Sequence, residues 1–280
     1  MNLIALIFLA CGTSPESTPT KETPVVQKEI QKKGVQADKV NSAKKALDIQ
    51  KVEQSALSPS PLELKGTAEK EGLPSNLATL VPVRKFVGDD TNKDHMALQT
   101  GVVLTDTVMQ VDTLSKDSLL GNLTKIESNL TKMGAGEGFV FSVTELKRKV
   151  TNDALNRDEV LLEMDEIIAY SRPAEGFGKD DTTGPLLQAG SWLTSINLIS
   201  HAMLNEKKVD SANNLFRHGK IAEYFLSYVQ HEGGKKVDGS VKGVLEDTLK
   251  TLIEVSEKKD LTQADVEKVA SITDKLLALI

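Results

Sequence analysis

The stretch Pro185-Leu-Leu-Gln-Ala-Gly-Ser-Trp-Leu-Thr-Ser-Ile-Asn-Leu-Ile-Ser-His-Ala-Met-Leu-Asn205 decides the fold, because a helix of this sequence is apolar almost all round. Such helices are normally buried on several sides. The stretch is long enough to cross a bilayer, but it carries polar side chains at Gln188, Ser191, Asn197 and His201. We therefore predict a buried core helix over about 185–205, with Trp192 at the centre of the domain.

Apolar residues recur at helical spacing on both sides of this stretch. The clearest predicted helix covers about 115–133, where one apolar seam is formed by Leu119, Leu123, Ile126, Leu130 and Met133. Ser115 can cap its start, and Gly134 stands where a C-terminal cap glycine belongs. Thr262 and Asp265 are spaced as in a capping box. Further helices are predicted over about 93–111, 142–150, 157–171, 211–231, 240–258 and 262–280.

The fold predicted from these patterns is all-α. We expect a bundle of seven or eight antiparallel amphipathic helices around the central apolar helix, preceded by a disordered tether. The predicted helical domain covers 74–280, and the part before residue 93 is expected to be short helix and loop packed on the domain. Sustained strand alternation is not seen in the sequence.

The N-terminus is a short apolar run, Leu3 to Ala10, that ends at Cys11, the one cysteine of the chain. The run is too short to span a membrane as a helix and fits the apolar region of a secretory signal. Phe8-Leu-Ala-Cys11 resembles the lipobox of bacterial lipoproteins, and the helical pattern of 93–280 is similar to domains of uncharacterised members of that class. The resemblance implies cleavage of residues 1–10 and lipidation of Cys11. The alternative is a buried N-terminal element with a free core cysteine.

Residues 11–73 are predicted to be a lipid-anchored, disordered linker. Five of the nine prolines fall here, and no aromatic residue lies between Cys11 and Phe86. Such a segment has little to bury against the entropy of ordering. The resemblance to lipoproteins implies a location in the cell envelope, on the periplasmic or surface side of a bacterial membrane, with the membrane and an envelope protein as partners.

The composition argues against a nucleic-acid partner. The net charge is −6 and aromatic residues make up 4% of the chain. Binding to phosphate backbones needs a basic footprint, which an acidic domain lacks.

Catalytic and metal-binding motifs are not apparent in the sequence. The chain has no HxxxH or HExxH pair of the kind that binds metal on one helix face. Its four histidines are His95, His201, His218 and His231. His201 could meet His218 across a helix interface. The glycines of 134–138 lack the flanking pattern of a phosphate loop and are interpreted as an interhelix loop. Asp165 and Glu166 are interpreted as a solvated face. We expect no metal, no cofactor and no catalytic residue.

Three functions follow as hypotheses. The first is a non-catalytic, membrane-tethered lipoprotein with a helical binding or scaffolding domain. The second is a small-ligand-binding or sensory domain, whose pocket would be formed by an aromatic set with one arginine: Trp192, Tyr170, Arg172, Tyr224 and Tyr228. The third and remotest is a hydrolase or metalloenzyme assembled from residues distant in sequence. A polar cavity beside Trp192 would favour the second hypothesis, and a solid core the first.

Overall fold

The structure is a computed structural model that describes residues 58–84, 92–171, 183–231, 237 and 239–280. The described residues form ten α-helices and two short 3-10 helices, Leu77–Leu80 and Val209–Ser211, with no strand. The α-helices are α1 Pro61–Lys70, α2 Lys93–Gln110, α3 Lys116–Met133, α4 Glu137–Thr151, α5 Arg157–Ala169, α6 Gly184–Glu206, α7 Ala212–Leu215, α8 Gly219–His231, α9 Gly239–Glu257 and α10 Gln263–Leu277. The prediction of an all-α domain is confirmed. The predicted signal, Cys11 and Arg172 lie outside the described residues.

Two helices, α2 and α6, form the centre of the domain and share its most extensive helix interface. Every residue from Gly184 to Ser200 in α6 is buried, which confirms the predicted core helix. Every residue from Asp94 to Met109 in α2 is buried as well. The sequence predicts only an apolar stripe for α2, because its threonines and acidic residues are typical of an exposed face. The bundle therefore has two central helices.

The remaining helices surround this pair. Helix α3 packs on α2 and α4, α10 packs on α6 and α9, and α8 packs on α9. The predicted ends of α3 are confirmed: the Ser115 hydroxyl accepts from the Ser118 amide, and Gly134 has a φ of 84°. The predicted capping box of α10 is also present, with the Thr262 side chain accepting from the Asp265 amide.

Helix α1 corrects the predicted boundary of the linker. The composition predicts a disordered segment over 61–70, yet these residues form a helix whose Leu64 and Ala68 are buried against α2 and α6. Its start has a complete capping box, in which Ser60 and Glu63 exchange hydrogen bonds, and Pro61 occupies the first turn. The domain therefore extends at least to Ser60 on its N-terminal side.

Two other predicted boundaries are corrected. Helix α4 begins at Glu137, five residues earlier than expected, because Phe139 in its first turn is buried in the core. The predicted helix over 211–231 is broken between α7 and α8. At the break, Arg217 donates hydrogen bonds to the backbone carbonyls of Ser256, Lys258 and Lys259. The break thus places a cation over the carbonyl groups that the end of α9 leaves unpaired.

Candidate functional site

A cavity of about 70 Å³ lies beside Trp192. It is bounded by the segment leading into α1, the last turns of α5 and the first half of α6. Its lining combines small polar, acidic and apolar groups: Ser58, Pro59, Ser60, Glu63, Asp165, Ile168, Ala169, Gln188, Ser191 and Trp192. Helix α1, which the composition places in the linker, therefore supplies part of the wall.

Two polar atoms of this lining are buried without a hydrogen-bond partner: Trp192 Nε1 and Asp165 Oδ1. Trp192 is 2% exposed. Nine in ten or more buried polar groups in proteins are paired, so each exception calls for an explanation. In the part of the chain that the structure describes, both exceptions belong to this one cavity.

Asp165 shows that one interpretation of the sequence is wrong. The pattern of α5 places Asp165 and Glu166 together on a solvated face. Glu166 is exposed, but Asp165 is half-buried and its Oδ1 is inaccessible to solvent. The loop-like segment before α1 and the α6 helix cover this side of α5, and no periodicity within α5 reveals them.

The predicted aromatic set is divided by the structure. Trp192, Tyr224 and Tyr228 are buried. The ring centroid of Phe225 lies 5.7 Å from that of Trp192 and 5.2 Å from that of Tyr224, and the Tyr224 ring lies 6.4 Å from the Tyr228 ring. Tyr170 lies apart, 39% exposed and stacked on Phe139. The tyrosines of α8 therefore belong to a packed aromatic row, and Trp192 connects this row to the cavity.

The histidines do not converge. His201 Nε2 lies 2.9 Å from Asp274 Oδ1, and the Asn197 side chain donates to the same oxygen at 2.7 Å. His201 thus pairs with α10, and the meeting with His218 that the sequence allows does not occur. Burial lowers the pKa of His218. Within the described ranges, no group of three or more His, Cys, Asp or Glu side chains is placed to hold a metal ion.

A buried ion pair lies between the segment after the first 3-10 helix and α2. Arg84 Nε donates to Asp106 Oδ2 at 2.5 Å and Nη2 to Oδ1 at 3.3 Å, and the two side chains are 10% and 11% exposed. Burial raises the pKa of Asp106, although the hydrogen bonds and charge of Arg84 oppose this rise. Arg84 also borders a second cavity of about 310 Å³ beside Asn197 and Asp274. Because the guanidinium is already bound to Asp106, this arrangement is best explained as structural.

Comparison with known proteins adds no family to this description: no family model, curated protein or solved structure matches the chain.

Among the described residues, no helix is both long enough and apolar enough to span a membrane.

Proposed function

We propose that this protein is a non-catalytic lipoprotein of the bacterial cell envelope, anchored through lipid on Cys11. The observation that carries the proposal is the apolar run Leu3–Ala10, which ends in a small residue directly before the one cysteine of the chain. Stable anchoring of a lipidated protein takes two membrane signals, for example two acyl chains, and a diacylglyceryl group on the Cys11 thiol would supply both chains.

The architecture of the domain supports an anchored, outward-facing role. About 50 residues separate Cys11 from the start of α1 at Pro61. A flexible chain of that length spans roughly 40 Å, so the domain would stand clear of the membrane surface. Polar groups buried in the central helices join the helices to one another: Gln99 donates to the Ile280 carbonyl at 2.7 Å, and Asn197 donates to Thr273 at 2.9 Å. The polar-lined cavity of about 70 Å³ beside Trp192 favours a small-ligand-binding domain as the second candidate function.

The anchoring is tested by expressing the full chain and its Cys11→Ser variant in a bacterial host supplied with an alkyne fatty acid. We expect the parent to incorporate the probe and to sediment with membranes, and the variant to do neither. Incorporation of the probe by Cys11→Ser, or membrane association unchanged by it, would refute the anchor. Because Cys11 lies far before the described domain in the sequence, thermal unfolding of both proteins should be the same.

The binding role is tested by site-specific crosslinking in intact cells. Phe141 of α4 and Leu162 of α5 are large apolar side chains left 63% and 60% exposed. A photoreactive residue at either position should crosslink to one envelope protein in a defined band. Asp247, exposed on α9, is the control, because α9 packs on α8 and α10 and not on α4 or α5. Equal crosslinking at Asp247, or none at Phe141 and Leu162, would contradict a specific partner at α4 and α5.

A further inference from the structure

We propose that the cavity beside Trp192 binds a small amino alcohol, a molecule with one ammonium group and one hydroxyl group. The ammonium would lie against the Asp165 carboxylate, and the hydroxyl oxygen would accept a hydrogen bond from Trp192 Nε1. This site is independent of the lipid anchor and goes beyond the proposed scaffolding role.

The first argument is the pair of unpartnered atoms. Trp192 Nε1 can only donate a hydrogen bond, and Asp165 Oδ1, in an ionised carboxylate, can only accept one. Both are buried, and both belong to residues that line the same cavity. A ligand that satisfies them must therefore offer an acceptor and a donor within one small molecule. Leaving such groups unpaired is unfavourable, so a ligand with both groups gains more than one with either alone.

The second argument is the charge of the lining. The charged residues described around the cavity are Asp165 and Glu63, and both are acidic. Glu63 Oε2 accepts from the Ser60 amide at 2.8 Å, which fixes the carboxylate near the cavity wall. Two carboxylates favour a cation in the cavity, and an indole ring attracts an ammonium group to its face. The donor that Asp165 requires is therefore best supplied by an ammonium group.

The third argument is the size of the cavity. Pockets for drug-sized ligands have about 300–1,000 Å³, whereas this cavity has about 70 Å³. A ligand of only a few non-hydrogen atoms fits this limit. Ethanolamine is the smallest common molecule that carries both required groups. A lipid headgroup with its phosphate diester exceeds this size, so the free amino alcohol is the source we propose.

The Ser191 hydroxyl also belongs to the cavity lining, but it is already hydrogen-bonded within the protein and does not compete for the ligand. The Ser191 hydroxyl lies 2.8 Å from Thr105 Oγ1 of α2. That contact fixes the wall of the cavity that belongs to α6, one residue before Trp192. Trp192 Nε1 is therefore positioned by the rigid crossing of α2 and α6, and Asp165 Oδ1 is positioned by α5.

Trp192 is the one tryptophan of the chain, so the full-length protein has a single indole N–H resonance. The experiment is a titration of ¹⁵N-labelled protein with ethanolamine, followed at that resonance. We expect a saturable shift in the millimolar range. Ethylene glycol lacks the ammonium group and ethylamine lacks the hydroxyl group, and each should bind at least about tenfold more weakly. The absence of a saturable shift would leave ordered water as the occupant and overturn the proposal, and equal affinity for ethylene glycol would overturn the assignment of an ammonium ligand.

Two variants of α5 distinguish ethanolamine binding in the cavity from a general effect of negative charge. Asp165→Asn removes the charge that faces the cavity and should weaken ethanolamine binding at least about tenfold. Glu166→Gln removes a neighbouring charge that is exposed, and its affinity should equal that of the parent. Equal affinity of Asp165→Asn and the parent would overturn the site. Both variants keep Trp192 as the reporter, and their far-ultraviolet circular dichroism and thermal unfolding establish that each is folded.

A third variant tests the donor. Trp192→Phe keeps an aromatic ring in the core and removes the N–H group. Ligand-observed saturation-transfer NMR should show loss of ethanolamine binding in this variant if it remains folded. Retained binding with unchanged affinity would show that Trp192 Nε1 is not part of the site.

Discussion

Gly101 of α2 and Gly190 of α6 face each other where the two central helices cross in backbone contact. A Cβ atom placed on Gly101 would lie 2.1 Å from the Leu187 carbonyl oxygen, and one on Gly190 would lie 2.3 Å from the Leu98 carbonyl oxygen. No side chain larger than hydrogen fits at either position without separating the helices. The sequence Gly190-Ser191 predicts a small-residue notch for a neighbouring helix, and the structure identifies α2 as that helix.

We predict that Gly101→Ala and Gly190→Ala each destabilise the domain by about 1–3 kcal/mol. The clashing atoms are backbone atoms of the opposite helix and cannot move aside as a flexible side chain would. Chemical denaturation followed by circular dichroism measures the loss.

Gly121→Ala is the matched control for these variants. Gly121 lies within α3 and is exposed, and a Cβ atom placed on it would have nothing within 4 Å. The substitution should stabilise the domain by roughly 0.5–1 kcal/mol, because alanine loses less conformational entropy in a helix than glycine. If Gly101→Ala behaved like Gly121→Ala, the close crossing would be wrong.

Thr105 provides a second test of the same crossing. Its hydroxyl lies 3.0 Å from the Ser191 carbonyl oxygen and 2.8 Å from the Ser191 hydroxyl, in the buried interface. Thr105→Val keeps the shape and removes these bonds, so we expect a loss of about 1–3 kcal/mol. Thr131→Val is the control, because the Thr131 hydroxyl is exposed and binds the carbonyl of Glu127 in its own helix. Urea denaturation of both variants should separate them by at least about 1 kcal/mol.

Helix α1 is predicted to be part of the cooperative fold. A chain beginning at Ser58 should unfold at the same temperature as the full-length protein, whereas one beginning at Pro74 should unfold at least several degrees lower or fail to fold. The second chain lacks Leu64 and Leu73, both buried in the core, and truncation of a single buried leucine to alanine costs about 2–5 kcal/mol.

The point variant Leu64→Ala tests α1 without truncation. At roughly 2–4 °C per kcal/mol for a domain of this size, its melting temperature should fall by at least about 5 °C. Glu69→Ala, on the exposed side of α1, should lower the melting temperature by far less. Equal melting temperatures for Leu64→Ala and the parent would contradict the assignment of residues 61–70 to the folded domain.

Asp265 gives the domain a predicted pH dependence. Hydrogen bonds from Lys258 and then from Thr262 lower the pKa of Asp265 to about 2, although burial opposes this. Because the pKa of Asp265 in the folded domain lies below its ordinary value of 3.8, the stabilisation that the ionised carboxylate provides is complete above about pH 4 and is lost as the pH falls toward about 2. The difference in unfolding free energy between the parent and Asp265→Asn, about 1 kcal/mol at about pH 7, should therefore shrink as the pH falls from about 4 to about 2. Asp247→Asn, at an exposed carboxylate of α9, should show no comparable dependence.

Much of the fold can be predicted because local signals agree with the tertiary structure. The apolar seam of α3, its cap at Gly134 and the capping box of Thr262 are all determined by residues a few positions apart. Helix α1 has the same kind of signal in Ser60-Pro-Leu-Glu63, a capping box with proline in the first turn. The prolines and low hydrophobicity of the preceding residues mask this signal when composition is averaged over the whole segment.

The burial of α2 and the cavity could not be predicted in this way. Thr105 and Gln99 are typical of a solvated face until their partners, Ser191 and the Ile280 carbonyl, are known. Those partners lie far away in the chain, so periodicity within α2 contains no information about them. The burial of Asp165 Oδ1 could not be predicted for the same reason, because the elements that cover it are distant in sequence. The central place of Trp192 can be predicted, because α6 is apolar almost all round.

The most direct test of the proposed function is the mass of the N-terminal peptide of the protein purified from membranes of a bacterial host that processes lipoproteins. We predict a peptide that begins at Cys11 and carries a diacylglyceryl group on the thiol. A peptide that begins at Met1 with an unmodified Cys11 would contradict the central claim that this helical domain is held at the envelope by a lipid anchor.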